Sequence, residues 1–177
     1  MKSAYLLTGM PGIGKTSLIK QVAGRLAGRA GGFYTEEIRD QSGIRQGFRL
    51  VTLDGRSAPL AHTGIRSPHR VSKYGVDIQG LDTLGIGSLR QAADRDGIVI
   101  IDEIGRMELF SENFRNTVLE IIESGRKVLG TIMLRPDPFA DALKQKSQVK
   151  VITLTRSNRS QVYQEIAEWL HLDIPLQ

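Results

Sequence analysis

The 177-residue sequence contains no cysteine, which rules out disulfides and thiolate metal sites. Its only histidines, His62, His69 and His171, lack close ligand spacing, so a zinc enzyme is not expected. No stretch approaches the roughly 20 apolar residues needed to cross a bilayer, and Met1 to Thr8 lead straight into a glycine-rich motif instead of a cleavable signal. A soluble, cytoplasmic chain without a membrane partner is expected. Aromatic residues make up only 6% of the sequence, and its 24 Lys and Arg are scattered. The net charge of +5 would suit a polyanion, but it comes without the basic runs or stacking platforms of a nucleic-acid arm. A nucleic-acid partner is weakly supported, and a monomer is expected.

What is present is enough for one well-buried core: 40% hydrophobic and 24% charged residues over 177 positions, the usual size of a single domain. Ala4 to Thr8 is a short apolar run, and so is Ile98 to Ile101 before Asp102. Continuous apolar runs of this length fit strands covered on both faces. Lys127 to Leu134 and Val149 to Leu154 are two more candidates. Helical spacing follows the first strand (Leu18, Ile19, Val22, Ala23, Leu26) and recurs at Phe110, Phe114, Val118, Ile121 and Ile122. A last helix is predicted from about Asn158 to His171, with Ser157 as its cap. Alternating strands and helices imply an α/β fold, a mostly parallel sheet with helices on both faces. Residues 32–80 differ. There, glycine-rich turns separate short β-type segments, Gly32 to Ile38 and Ile44 to Leu53, with Asp40-Gln41-Ser42-Gly43 reading as a hairpin turn. An antiparallel ribbon on one edge of the parallel sheet is predicted.

Between the first strand and its helix stands Gly9-Met10-Pro11-Gly12-Ile13-Gly14-Lys15-Thr16, a match to G-x-x-x-x-G-K-[ST] in its required context. A loop that wraps a phosphate turns its amides inward, which suits residues without side chains at Gly9, Gly12 and Gly14. The helix beginning at Lys15 adds its positive end to the same anion. Lys15 is expected at the β- and γ-phosphates and the Thr16 hydroxyl on Mg²⁺. A second strand end should then supply an acid beside the metal, and Val99-Ile100-Ile101-Asp102-Glu103-Ile104-Gly105-Arg106 meets that requirement. Asp102 is the expected Mg²⁺ partner; Glu103 is placed to orient or deprotonate water. The two acids also suit a simple strand end leading into a helix. Arg106 reads equally as a phosphate contact or a solvated surface residue.

With these two strings the chain resembles the small THEP-type nucleoside-triphosphatases. Gly32-Phe33-Tyr34-Thr35-Glu36-Glu37, the segment from Gly130 to Arg135, and Asn158-Arg159 extend the likeness over nearly the whole length. The resemblance implies a compact RecA-like P-loop domain that hydrolyses nucleoside triphosphates, with little base preference, to the diphosphate and phosphate.

Weaker signals remain. Thr131 reads as a γ-phosphate sensor or a sheet-core residue, and Arg135 as a transition-state cation or a surface residue. Asn158 and Arg159 lie where such folds approach base and sugar, with Asn158 reading equally as a helix cap, and Tyr34 and Glu36 near the phosphates or merely on the ribbon. Two other functions stay open: a nucleotide or small-molecule kinase with residues 64–75 (Arg66, His69, Arg70, Lys73) as its lid, and a nucleotide-gated switch for RNA or protein. Against the switch, no Asn-Lys-x-Asp string for guanine occurs.

Overall fold

A computed structural model describes residues 2–172. In chain order the strands are β1 (Ala4–Thr8), β2 (Ala30–Arg39), β3 (Arg45–Thr52), β4 (Ser57–His62), β5 (Arg70–Val71), β6 (Tyr74–Val76), β7 (Ile98–Ile104), β8 (Val128–Ile132) and β9 (Val149–Thr153). They form one sheet in the order β5-β6-β4-β3-β2-β7-β8-β1-β9. From β2 to β9 every pairing is parallel; from β2 outward to β5 every pairing is antiparallel. The ribbon is thus a continuation of the sheet through β2, which belongs to both halves.

Burial explains the division. Neighbouring residues on a strand face opposite ways, and in β7 both ways are buried. Val99 and Ile101 enter the core under α3 (Ile86–Asp94), α4 (Glu112–Glu123) and α5 (Pro138–Lys144), while Ile98 and Ile100 enter the core under α1 (Lys15–Ala23) and α6 (Arg159–Trp169). Each such side chain withdrawn from water contributes about 1.5–3 kcal/mol. Strand β3 instead mixes exposed, half-buried and buried positions, as expected where one face stays wet.

The β2–β3 hairpin turns where predicted. Asp40 Oδ1 accepts from the amides of Ser42 (2.9 Å) and Ile44 (3.0 Å). At the other end of β2, Gly32 adopts φ +106°, and a Cβ there would stand 2.1 Å from the Ile100 carbonyl oxygen. Gly32→Ala therefore combines a left-handed strain with a main-chain clash, and it is expected to cost on the order of 3 kcal/mol or more. Urea unfolding checks this; an unchanged midpoint would mean that β2 and β7 can separate freely.

Four details depart from the sequence reading. Strand β7 runs past Asp102 to Ile104, with the pairing register against β8 shifting between Ile101 and Ile104. The last helix begins at Arg159, and of the two cap candidates its N-cap is Asn158, not Ser157. The Asn158 side chain bonds the Thr155 amide and the Thr153 carbonyl instead of a helix amide. Residues 78–94 are helical, as α2 (Ile78–Gly80), a π-helical turn (Leu81–Gly85) and α3; Gly80, Gly85 and Gly87 hide this run from propensity, and packing of Leu81, Ile86 and Leu89 fixes it. Helix α5 is capped by Asp137, whose Oδ1 accepts from Phe139 and Ala140 amides, with proline at its first position.

Candidate functional site

The phosphate loop joins β1 to α1 at the carboxyl edge of the parallel strands. Gly9, Gly12 and Gly14 hold φ of +146°, +76° and +99°, so the backbone conformation that curls the loop is one that side-chain-bearing residues avoid. Lys15 folds back over it, its Nζ donating to the carbonyls of Gly9 (3.0 Å) and Met10 (3.3 Å). From outside, Arg159 Nη1 donates to the Gly14 carbonyl at 2.9 Å. The loop is therefore braced from α6, a role for Arg159 distinct from base or sugar contact. Ile13 packs on the core beneath, whereas Met10 is 64% exposed, and Pro11 and Gly12 are also exposed. The helix opens at Lys15 with no side-chain cap, which leaves the first-turn amides for an anion.

Two strands away, β7 brings Asp102 to the same edge. Asp102 is wholly buried, and the Thr131 hydroxyl on neighbouring β8 donates to its Oδ1 at 2.6 Å. Thr131 thus orients the acid. Burial pushes the Asp102 carboxyl up from its usual value; the Thr131 and Thr16 hydroxyls, the Thr35 amide and the Lys15 ammonium oppose the shift. The Asp102–Glu103 peptide is cis. Val99, Ile100, Ile101 and Ile104 are 0% accessible, so these four support the acids from within the core instead of touching a ligand. A helix directly after the acids is also corrected: α4 starts only at Glu112, following a 3₁₀ turn (Glu108–Phe110).

Asp102 Oδ2 is the informative atom. It is buried without a hydrogen-bond partner among the described residues, and an orphan acceptor of that kind is costly unless something else fills its coordination. With the Thr16 hydroxyl beside it, the pair fits a hard cation such as Mg²⁺. Among the described residues no cluster of three or more His, Asp or Glu could hold a metal.

Glu103, the next residue, is half-buried. Burial and the Asp102 charge raise its pKa, and Lys15 lowers it. Gly105 lies directly beneath the Glu103 carboxylate, and Arg106 is exposed without an ion pair among the described residues. Arg135 is likewise exposed beyond β8. Tyr34 lies under the Lys20 ammonium, 4.1 Å from the ring centre, and Glu36 bridges Lys20 (2.6 Å) and Arg49 (2.7 Å), so both belong to the ribbon's surface. The segment proposed as a kinase lid is built into the sheet: Arg70 and Val71 pair with β6, and the His69 ring packs 5.0 Å from that of Phe110. A cavity of about 760 Å³ lies at the opposite edge, against the starts of β2 and β7 at Ala30 and Ile98, and does not adjoin the loop. No helix among the described residues is long and apolar enough to cross a membrane.

A glycine loop between a parallel strand and a helix, with an oriented acid on a nearby strand of a mixed sheet, defines the P-loop nucleoside-triphosphatase class. The chain matches the NTPase family model over residues 4–167. It is 44% identical over 161 residues to nucleoside-triphosphatase THEP1 of Thermotoga maritima, covering 91% of both chains. It is 38% identical over 182 residues to the human cancer-related nucleoside-triphosphatase, covering 94% of this chain and 95% of the relative. The crystal structure of THEP1 from the hyperthermophile Aquifex aeolicus resembles it with a TM-score of 0.85 at 37% identity, over 94% of this chain and 98% of that one. The chain belongs to this NTPase family, the nucleoside-triphosphatases of the THEP type.

Proposed function

We propose that the chain hydrolyses nucleoside triphosphates to the diphosphate and phosphate, with water as acceptor and little discrimination among bases. One observation carries the choice of water: Glu103, half-buried at the carboxyl edge, accepts no hydrogen bond from any described residue, so its oxygens are free to hold and deprotonate a water molecule. The loop amides and the Lys15 ammonium bind the β- and γ-phosphates. The water oxygen forms its bond to the γ-phosphorus, the bond to the β-bridging oxygen breaks, and the water proton passes to Glu103. Thr16 and Asp102 would hold Mg²⁺, whose chemistry is to neutralise charge on the phosphate oxygens. Thr131 fixes the Asp102 carboxylate through its 2.6 Å bond. Broad base acceptance is supported by Asn158, whose side chain is occupied by Thr155 and Thr153 and so is not free to read a base edge.

Glu103→Gln keeps the shape and removes the base. Phosphate release over a panel of triphosphates is expected to fall about a hundredfold, with nucleotide affinity retained. Unchanged release would assign the water to another group, and turnover that required an added nucleoside acceptor would favour the kinase.

A further inference from the structure

Both ends of the phosphate loop rest on one short connection, the turn between β9 and α6. Where the loop begins, the Leu154 amide donates to the Thr8 carbonyl at 2.8 Å. Where it ends, Arg159 Nη1 donates to the Gly14 carbonyl at 2.9 Å. The turn is itself tied: Asn158 Oδ1 accepts from the Thr155 amide and Asn158 Nδ2 donates to the Thr153 carbonyl, each at 2.8 Å. Arg159 is therefore delivered to Gly14 by a fixed backbone.

A tether between helices does not account for an arginine here. The Gly14 carbonyl already accepts the Leu18 amide at 3.0 Å, the first bond of α1, so it is no orphan in need of a donor. Arg159 is also the first residue of α6, and Gly14 is the N-cap of α1, so the guanidinium stands where two helix N-termini meet. Each such end carries partial positive charge and disfavours a cation. Neither helix has an acid in its first turn, and Arg159 forms no ion pair among the described residues. Lys15, not Arg159, is the cation that acts on Asp102 and Glu103. The anion that would answer the Arg159 charge is a phosphate in the loop.

The peptide unit between them gives that charge a route. In the planar trans Gly14–Lys15 peptide the N–H points opposite to the C=O. With the carbonyl turned to Leu18 and Arg159, the Lys15 amide is aimed back into the loop, at the helix start that no side chain caps. We propose that Arg159 is a positioning residue for phosphate binding: acting through the Gly14 carbonyl, its guanidinium fixes and polarises the Lys15 amide. A carbonyl that accepts a charged donor draws electron density from its own N–H and makes that N–H a stronger donor. The proposal rests on the loop being the phosphate site. Lys15 touches the phosphates, whereas Arg159 acts through the main chain. Its effect falls on a phosphate that substrate, transition state and diphosphate product all carry, so it belongs to binding and not to the chemical step.

The test uses the full chain with Arg159→Ala, Arg159→Gln and Arg159→Lys, measuring nucleoside diphosphate affinity, KM and kcat for triphosphate hydrolysis, and melting temperature with and without the diphosphate. Arg159→Ala is expected to raise the diphosphate Kd and the triphosphate KM by the same factor, on the order of tenfold, with kcat within about threefold of wild type. The melting point without nucleotide should hold, while the increment given by the diphosphate shrinks. Arg159→Lys, which keeps the charge, should bind the diphosphate more tightly than Arg159→Gln, which does not. A lower melting point without nucleotide, at unchanged Kd and KM, would make Arg159 a tether only and overturn the proposal. A fall in kcat at unchanged diphosphate affinity would put the guanidinium on the transferred phosphate and overturn it as well. Should Arg159→Ala not fold, equal affinities of Arg159→Lys and Arg159→Gln have the same force. Lys15→Ala, measured alongside, keeps the two readings apart: undiminished diphosphate affinity in that variant would take the phosphates out of the loop, and the proposal with them.

Discussion

Lys15→Ala is expected to reduce kcat/KM for triphosphate hydrolysis by on the order of 10³ to 10⁵, the largest loss of any single substitution in the site. Without substrate, Lys15 donates to the Gly9 and Met10 carbonyls at 3.0 and 3.3 Å, so its ammonium is already inside the loop where a phosphate would lie. Moving it from two neutral carbonyls to a triphosphate replaces ordinary hydrogen bonds with charge-assisted ones. The same ammonium lowers the proton affinity of both Asp102 and Glu103. Removing it therefore subtracts a phosphate ligand and leaves two adjacent carboxylates without the cation that steadies their charge. KM and kcat should both suffer, since the contact exists in the bound state and strengthens as charge moves onto the leaving phosphate. Lys15→Arg should not rescue, because a planar guanidinium is not a substitute for a compact ammonium in a loop this tight. Phosphate release and diphosphate binding check both variants. A Lys15→Ala enzyme within tenfold of wild type would place the phosphates elsewhere.

The phosphate loop is the most legible part of the molecule, because every requirement on it is local: glycines where φ must be positive, a cation and a hydroxyl at the helix start. The parallel strands are equally plain, since burial on both faces leaves unbroken apolar runs such as Ile98 to Ile101. Asp102 and Glu103 are readable as acids at the end of such a run, but not their setting. That Thr131 orients Asp102 depends on β7 and β8 lying side by side, 29 residues apart in sequence. Arg159 bracing Gly14 joins residues 145 apart. The burial of Glu108 carries no local mark at all, since a glutamate within Met107-Glu108-Leu109-Phe110 looks solvated until the turn folds it inward. The helical run 78–94 stays hidden for the opposite reason, its glycines arguing against a helix that only tertiary packing supports. Helix α5 is a signal present and unread, for Asp137-Pro138 is a standard opening.

Asp102→Asn is expected to separate activity from stability. The asparagine keeps an oxygen for the Thr131 hydroxyl but replaces the buried Oδ2, which has no hydrogen-bond partner, with an amide nitrogen that cannot bind Mg²⁺. If Asp102 holds Mg²⁺ as proposed, turnover should fall on the order of 10³-fold, because the acid that would place the metal on the phosphates is gone. The nucleotide-free fold, by contrast, should gain about 1–3 kcal/mol. Asp102 is wholly inaccessible, and burial works against its charge more strongly than any neighbouring group favours it, so neutralising it removes a desolvation penalty. Melting in chelator should therefore rise by several degrees. Adding Mg²⁺ with a nucleoside diphosphate should raise the wild-type melting point well above that given by the diphosphate alone, whereas the variant should show the diphosphate increment only. A variant that melts lower than wild type in chelator would mean that Oδ2 is satisfied by a protein group after all. A variant that keeps the full Mg²⁺ increment would move the metal away from Asp102. Either result would leave Thr16 and the loop to hold the nucleotide without the acid that β7 brings beside them.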